Sequence, residues 1–203
     1  MNDLIKARRL PKYIEGDELS LKISSYPIFL KYLSNRLANK FSILLELCTG
    51  IAVGLIFLES NFRKLYGVEL DSKIVKLAKR NIEKSELKDK LSMIQADVND
   101  ISDFKYLKPD VVIYDIPYWS NHDVDLLKRN PDLKLLFKNI NKHLTKNIII
   151  YSPPHFDYDY YKKLLNIEFE LVEIYINKKH DRNVLFFGNL VNKIGIFKVL
   201  LVN

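Results

Sequence analysis

Four carboxylates and two proline-bearing loops are the parts of this sequence that could do chemistry. Glu46 stands inside an apolar run, Ser42–Leu47, and is followed by Cys48-Thr49-Gly50-Ile51-Ala52-Val53-Gly54. Small residues at 48, 50, 52 and 54 let the backbone come close to a ligand at a helix start. Glu69 lies nineteen residues after Gly50, at the end of a second apolar run and directly before Leu70. A carboxylate there accepts hydrogen bonds from both hydroxyls of a ribose. Asp97, followed by Val98, closes a third run at Gln95-Ala96-Asp97, where a carboxylate meets an adenine amino group. Together these intervals describe a nucleotide-type site at the carboxyl ends of adjacent strands. A Gly-x-Gly-x-x-Gly dinucleotide pattern is absent. Glu46 has no use beside a pyrophosphate but suits a cofactor that carries an ammonium group. The residues therefore favour S-adenosylmethionine over NAD. The expected contacts are Glu46, Cys48, Thr49, Gly50, Ala52, Gly54, Glu69, Leu70, Asp97, Val98 and Asp115.

Asp115 opens the first proline loop, Asp115-Ile116-Pro117-Tyr118, at the end of the apolar run Val111–Tyr114. Eighteen residues separate it from Asp97, enough for a connection and a fourth strand, and the loop is expected to face the cofactor's sulfonium. An aromatic amine is a poor nucleophile because its lone pair is delocalised into the ring. A carboxylate (Asp115) and a backbone carbonyl (Ile116) accept its two N–H bonds and aim the nitrogen at the methyl carbon, so that placement supplies much of the catalysis. Tyr118 or Trp119 then stacks on the base. The second loop, Ser152-Pro153-Pro154-His155, ends the fifth strand, one position further out. It reads as a structural turn or as a wall of the substrate pocket, with Ser152, Pro153 and His155 as the residues that line it.

The elements that position these residues alternate. Strands are expected at Ser42–Leu47, Lys64–Glu69, Leu91–Gln95, Asp110–Tyr114, Asn147–Ser152, Phe169–Ile176 and Asn183–Leu190, most of them apolar on both faces as in a covered parallel sheet. Asp71 or Ser72 caps a helix whose Ile74, Leu77, Ala78 and Ile82 fall at helical spacing. Further helices are expected at Ile28–Ala38, Val124–Leu144 in two pieces broken near Asn130-Pro131, and Tyr158–Leu165. The order predicts a doubly wound, Rossmann-like α/β fold with a seven-stranded, mostly parallel sheet. The short Asn177–Asn183 connection makes the final pair of strands antiparallel. Residues 1–40 are expected to form a helical segment packed on a single domain spanning 41–203.

With 203 residues the chain suits one well-cored domain. Its single cysteine excludes an internal disulfide and a Cys-based zinc site, which fits a reducing, cytoplasmic setting. No signal-peptide core and no run of about twenty apolar residues is present. His122, His143, His155 and His180 are scattered, so no metal is expected. The net charge of +7 is compatible with a polyanionic partner. Lys6, Arg8, Arg9 and Lys12, and the hairpin residues Lys178, Lys179, His180 and Arg182, either touch the phosphates of such a partner or are solvated surface charge. Phe156, Tyr158, Tyr160 and Tyr161 are read as cover for the sheet.

The motifs resemble the class I S-adenosylmethionine-dependent methyltransferases, and among them the trimethylguanosine synthase family of RNA cap guanine-N2 methyltransferases. That family's Asp-x-Phe-Cys-Gly-x-Gly-Gly loop is similar to Glu46–Val53, its Ile-Asp-Ile-Asp to Val68-Glu69-Leu70-Asp71, and its Ser-Pro-Pro-Trp to Asp115-Ile116-Pro117-Tyr118. A Ser-Val-Thr-Pro-Glu signature is echoed by Ser24-Ser25-Tyr26-Pro27, and a terminal Tyr-Phe-Gly-Asp-Leu by Leu185–Leu190. Asp115 is closer to the Asp-Pro-Pro-Tyr loop of the tRNA guanine-N2 methyltransferases. Ile116 stands for the first proline, Tyr118 for the stacking tryptophan and Ala52 for a glycine. The resemblance implies methylation of guanine N2 in an RNA, either tRNA or a capped or structured RNA, with Tyr26 on the substrate side. A protein substrate such as a glutamine side chain, and a non-catalytic RNA- or partner-binding role, are the alternatives.

Overall fold

A computed structural model describes residues 2–38, 40–115 and 132–202. Ile116, Pro117, Tyr118, Trp119, His122 and the first half of the expected Val124–Leu144 helix lie outside them. The chain forms two compact units, Met1–Asp97 and Val98–Asn203.

The first unit begins with three helices, α1 (Asn2–Arg8), α2 (Glu18–Ile23) and α3 (Pro27–Leu37). The Asp17 carboxylate accepts the Ser20 N–H at the start of α2, and Pro27 starts α3, where a missing N–H costs no hydrogen bond. Strands β1 (Ile43–Leu47), β2 (Lys64–Glu69) and β3 (Leu91–Gln95) follow, with α4 (Val53–Leu58) and α5 (Ser72–Lys84) between them. Their order is β3-β2-β1 and both pairs are parallel. The Asp71 carboxylate caps α5, accepting from the Lys73 and Ile74 N–H groups at 2.7 and 3.4 Å, and Val75, Ala78 and Ile82 turn inward. Leu44, Leu45, Leu47, Leu65 and Val68 are buried beneath the helices, which is why these strands read as apolar on both faces.

Asn81 is the fixed point of this unit. It is fully buried inside α5. Its amide donates to the Glu15 and Ile51 carbonyls at 2.9 and 3.0 Å, and its oxygen accepts the Glu15 N–H at 2.7 Å. One side chain thus joins the segment before α2, helix α5 and the loop after β1. Exposed ion pairs from Arg80 and Lys84 to Glu15 close over it.

The second unit holds β4 (Val111–Asp115), α6 (Leu133–His143), β5 (Ile148–Ser152), α7 (Tyr158–Leu165), β6 (Glu170–Ile176), β7 (Lys179–Phe186) and β8 (Gly195–Leu201). The order is β4-β5-β7-β6-β8. β4 and β5 are parallel, β7 runs against both β5 and β6, and β8 lies parallel to β6. Asn147 braces the strand starts. Its amide donates to the Asp110 carbonyl at 3.0 Å and its oxygen accepts the Asn189 N–H at 2.9 Å.

The Rossmann-like α/β fold is the expected one, and the β6–β7 pair is antiparallel as its short connection requires. Two details are corrected. Among the described residues there are eight strands, because β8 adds a final edge that the reading of seven omits. β7 begins four residues earlier than expected and ends at Phe186, not Leu190. Asn177 and Lys178 both take positive φ, 50° and 68°, so they form a two-residue hairpin turn and the chain enters the strand at Lys179. Gly188 (φ +67°) then starts a 3₁₀ turn, Gly188–Leu190.

Candidate active site

The loop after β1 has an unusual backbone. Cys48, Gly50 and Ala52 have φ of 60°, 60° and 67°. For the two residues with a Cβ, the left-handed region costs about 1–2 kcal/mol each, and such cost concentrates at ligand sites. The turn is held by Thr49, whose hydroxyl donates to the Glu46 carbonyl at 2.8 Å and whose N–H reaches the Val68 carbonyl at 3.1 Å. Gly67 makes room for it, since a Cβ there would lie 2.7 Å from Thr49 Oγ1 and 2.6 Å from Met93 Sδ.

Glu46, Gly54 and Glu69, three of the expected cofactor residues of this unit, have contacts or close approaches at the turn. Glu46 is 3% exposed, and Gly54 leaves it space, because a Cβ at 54 would sit 2.7 Å from Glu46 Oε1. The Glu69 carboxylate accepts the Gly50 N–H at 3.0 Å through Oε2, and the Leu70 and Asp71 N–H groups at 2.8 and 3.1 Å through Oε1. A carboxylate offers about four acceptor positions, so it is oriented with capacity remaining. A Cβ on Gly50 would meet nothing within 4 Å, so the space over the turn is open. Leu70 is 64% exposed, which for a large apolar side chain beside an oriented carboxylate suits a ligand's apolar face. Asp97 is partly buried two residues beyond β3. Val98, the first residue of the second unit, is buried. A nucleoside cofactor with an ammonium-bearing tail fits this donor set: a carboxylate for a diol, an open glycine turn and a buried acid for a positive charge.

In the second unit, Asp115 ends β4 and lies across from Tyr151 in the β4–β5 register. Arg182 is 5% exposed, with its guanidinium 5.5 Å from the Tyr151 ring centre and its Nε donating to Asp181 at 2.7 Å. Burial pushes the Asp115 carboxyl up to about 6, the Arg182 charge pulls it down and the Asp181 charge pushes it up. Arg182 is therefore an internal cation, and the expectation that it is surface charge or touches phosphate is corrected. Arg8 also has a structural task. Its guanidinium donates to the Ser24 and Lys22 carbonyls and covers the Tyr26 ring at 4.2 Å at the start of α3.

The loop after β5 is tied from β7. Ser152 is fully buried, and its hydroxyl has no hydrogen-bond partner among the described residues. Pro153 is buried too, while His155 is exposed and lies 4.4 Å from the Phe156 ring. Phe156 and Tyr161 are buried as cover for the sheet, and Tyr160 is 38% exposed, stacked on Phe156 at 4.6 Å. Asn183, 2% exposed, donates from its amide to the Pro153 and Phe156 carbonyls and accepts from His180 Nε2 at 2.9 Å. Sequence reasoning missed Asn81, Asn183 and the internal role of Arg182. Starting β7 at Lys179 would have exposed the last two, since strand alternation then makes Arg182 and Asn183 face opposite sides of the sheet. Among the described residues no group of three His, Cys, Asp or Glu side chains is placed to hold a metal ion, and no helix is long and apolar enough to cross a membrane.

Comparison with known proteins agrees with this architecture. No curated protein matches the sequence. Among solved structures, a candidate methyltransferase from Porphyromonas gingivalis W83 superposes with a TM-score of 0.67 at 17% identity, covering 88% of this chain and 44% of its own. A human methyltransferase 10 domain containing protein gives 0.60 at 16% identity, with 86% and 84% covered. The Pyrococcus abyssi tRNA (uracil-54, C5)-methyltransferase, in complex with S-adenosyl-L-homocysteine, gives 0.55 at 18% identity, with 81% and 39% covered. The chain spans less than half the length of the first and third of these. At such identities the likeness is one of fold. The sequence itself carries the decisive match, to the RNA cap guanine-N2 methyltransferases over residues 41–187, and the chain belongs to that family.

Proposed function

We propose that this protein is a cytoplasmic S-adenosylmethionine-dependent methyltransferase that acts on the exocyclic N2 amine of guanine in an RNA. The observation that carries the reading is Asp115. It is a carboxylate at the end of β4, raised to about 6 by burial yet drawn toward ionisation by Arg182, and it opens the stretch that resembles the family's Ser-Pro-Pro-Trp loop. Residues 41–203 act as the catalytic domain, and the helical segment 1–40 packs on it.

The cofactor is S-adenosylmethionine, which when bound supplies an activated methyl group. Glu69 holds the ribose hydroxyls, Glu46 answers the ammonium group, and Cys48, Thr49, Gly50, Ala52 and Gly54 shape the turn around the amino-acid tail. Leu70, Asp97 and Val98 flank the adenine. Asp115 accepts one N–H of the guanine amine and the Ile116 carbonyl accepts the other. Both bonds aim the nitrogen lone pair and suppress its rotation, so catalysis is mainly placement. Pro117 fixes the loop backbone, Tyr118 and Trp119 stack on the base, and Ser152, Pro153, His155 and Tyr26 bound the substrate side.

The test is tritium transfer from labelled S-adenosylmethionine to total RNA, followed by nucleoside mass spectrometry. N2-methylguanosine should appear with the wild-type chain. With Asp115→Ala it should fall about 100-fold or more while cofactor affinity is kept. Label in protein and none in RNA would replace the RNA substrate with a polypeptide one.

A further inference from the structure

We infer that His180 and Asn183, on β7, are positioning residues that hold the Ser152–Phe156 loop as a rigid wall on the substrate side. The inference rests on the RNA reading above.

The wall has an intrinsic weakness. Pro153 and Pro154 have no N–H, so these two residues cannot donate from the backbone and are tied only where carbonyls of the loop find donors. The Phe156 N–H reaches the Pro153 carbonyl at a long 3.3 Å. A second donor is the Asn183 amide, which spans the Pro153 and Phe156 carbonyls together. Ser152 and Asn183 are directly opposed in the β5–β7 ladder, so their side chains share one face of the sheet. Asn183 can serve two carbonyls only if its NH₂ points at the loop, and its oxygen then needs a donor of its own. His180 Nε2, at 2.9 Å, supplies it and so fixes which way the amide points.

His180 is itself clamped. Its ring stacks on Tyr175 at 4.7 Å and 17°. The Tyr175 hydroxyl donates to Glu173 at 3.2 Å, and Lys198 of β8 lies 3.4 Å from the same carboxylate. A line of contacts therefore runs from β8 through β6 and β7 to the loop.

The experiment compares Asn183→Leu and His180→Phe with the wild-type chain, and adds His180→Gln, which keeps a side-chain donor. Steady-state transfer to total RNA, cofactor affinity by calorimetry and amide exchange across 155–158 are measured on each. Both disruptive variants should raise KM for RNA by about tenfold, as expected for loss of one buried hydrogen bond. Exchange in the loop should quicken, cofactor affinity should stay at the wild-type value, and His180→Gln should recover most of the KM. Unchanged KM in Asn183→Leu and His180→Phe, or a parallel loss of cofactor affinity, would overturn the inference while the RNA reading stands. No transfer to RNA by the wild-type chain would overturn both.

Discussion

Asp115 has two tasks that pull its carboxyl in opposite directions. Burial favours the neutral form and pushes it up to about 6, whereas acceptance of an amine N–H requires the ionised form. Arg182 is the group that reconciles them. Methyl transfer should therefore fall on the acid side, with a limb in kcat/KM near pH 6. Arg182→Met removes the lowering charge and should move that limb upward, which a profile from pH 5 to 8 would read; an unmoved limb would show that another group titrates. The same carboxyl has a signed effect on stability. Its folded value lies above the ordinary 3.8, so its contribution is present at low pH and is lost as pH rises through about 6. Catalytic readiness thus comes on as that contribution is withdrawn.

At the scale of elements, the join between β7 and β8 has no room for a side chain at Gly188. Gly188 has φ +67°, and a Cβ there would lie 2.5 Å from the Lys146 carbonyl oxygen, which is backbone and cannot swing away. Gly188→Ala should destabilise the chain by about 2–4 kcal/mol, combining left-handed strain with overpacking, as a lower urea midpoint would show. The buried parallel strands were legible in the sequence because short runs such as Val111–Tyr114 and Ile148–Tyr151 are apolar on both faces, and Asp71 announced the start of α5. β8 was not legible as a strand. Ile196, Lys198 and Leu200 are exposed on one side of this sheet edge while Phe197, Val199 and Leu201 are only half-buried, so its apolar residues look like an interrupted run. What fixes β8 is remote: buried Glu170, at the start of β6, accepts the Asn192 N–H at 2.7 Å. The spacing of Glu46, Gly50, Glu69 and Asp97 could be read because each lies at or just beyond the carboxyl end of a strand. Asn183 and Asn81 could not, since the carbonyls that their amides tie down lie 27 to 66 residues away and polar residues inside a strand or helix give no local signal.

For the molecule as a whole, the family match begins at residue 41, yet the segment before it is not an appendage. Asn81 bonds Glu15 on one side and Ile51 on the other. Replacing it with Leu leaves the Glu15 N–H and the Glu15 and Ile51 carbonyls to find new partners, at about 1–3 kcal/mol for each that stays buried and unmet. Asn81→Leu should accordingly weaken cofactor affinity and speed tryptic cleavage near Arg8, Arg9 and Lys12, read together by calorimetry and limited proteolysis. Because one amide serves both ends, the dependence has to run both ways. A cofactor that steadies the Ile51 turn also steadies the docking of the first fifteen residues. At a hundredfold excess over its dissociation constant the bound form gains about 2.7 kcal/mol against any opening that releases the cofactor. The amino-terminal segment is then a gauge of occupancy: its lifetime against protease reports how full a distant site is, with no chemical step taking place.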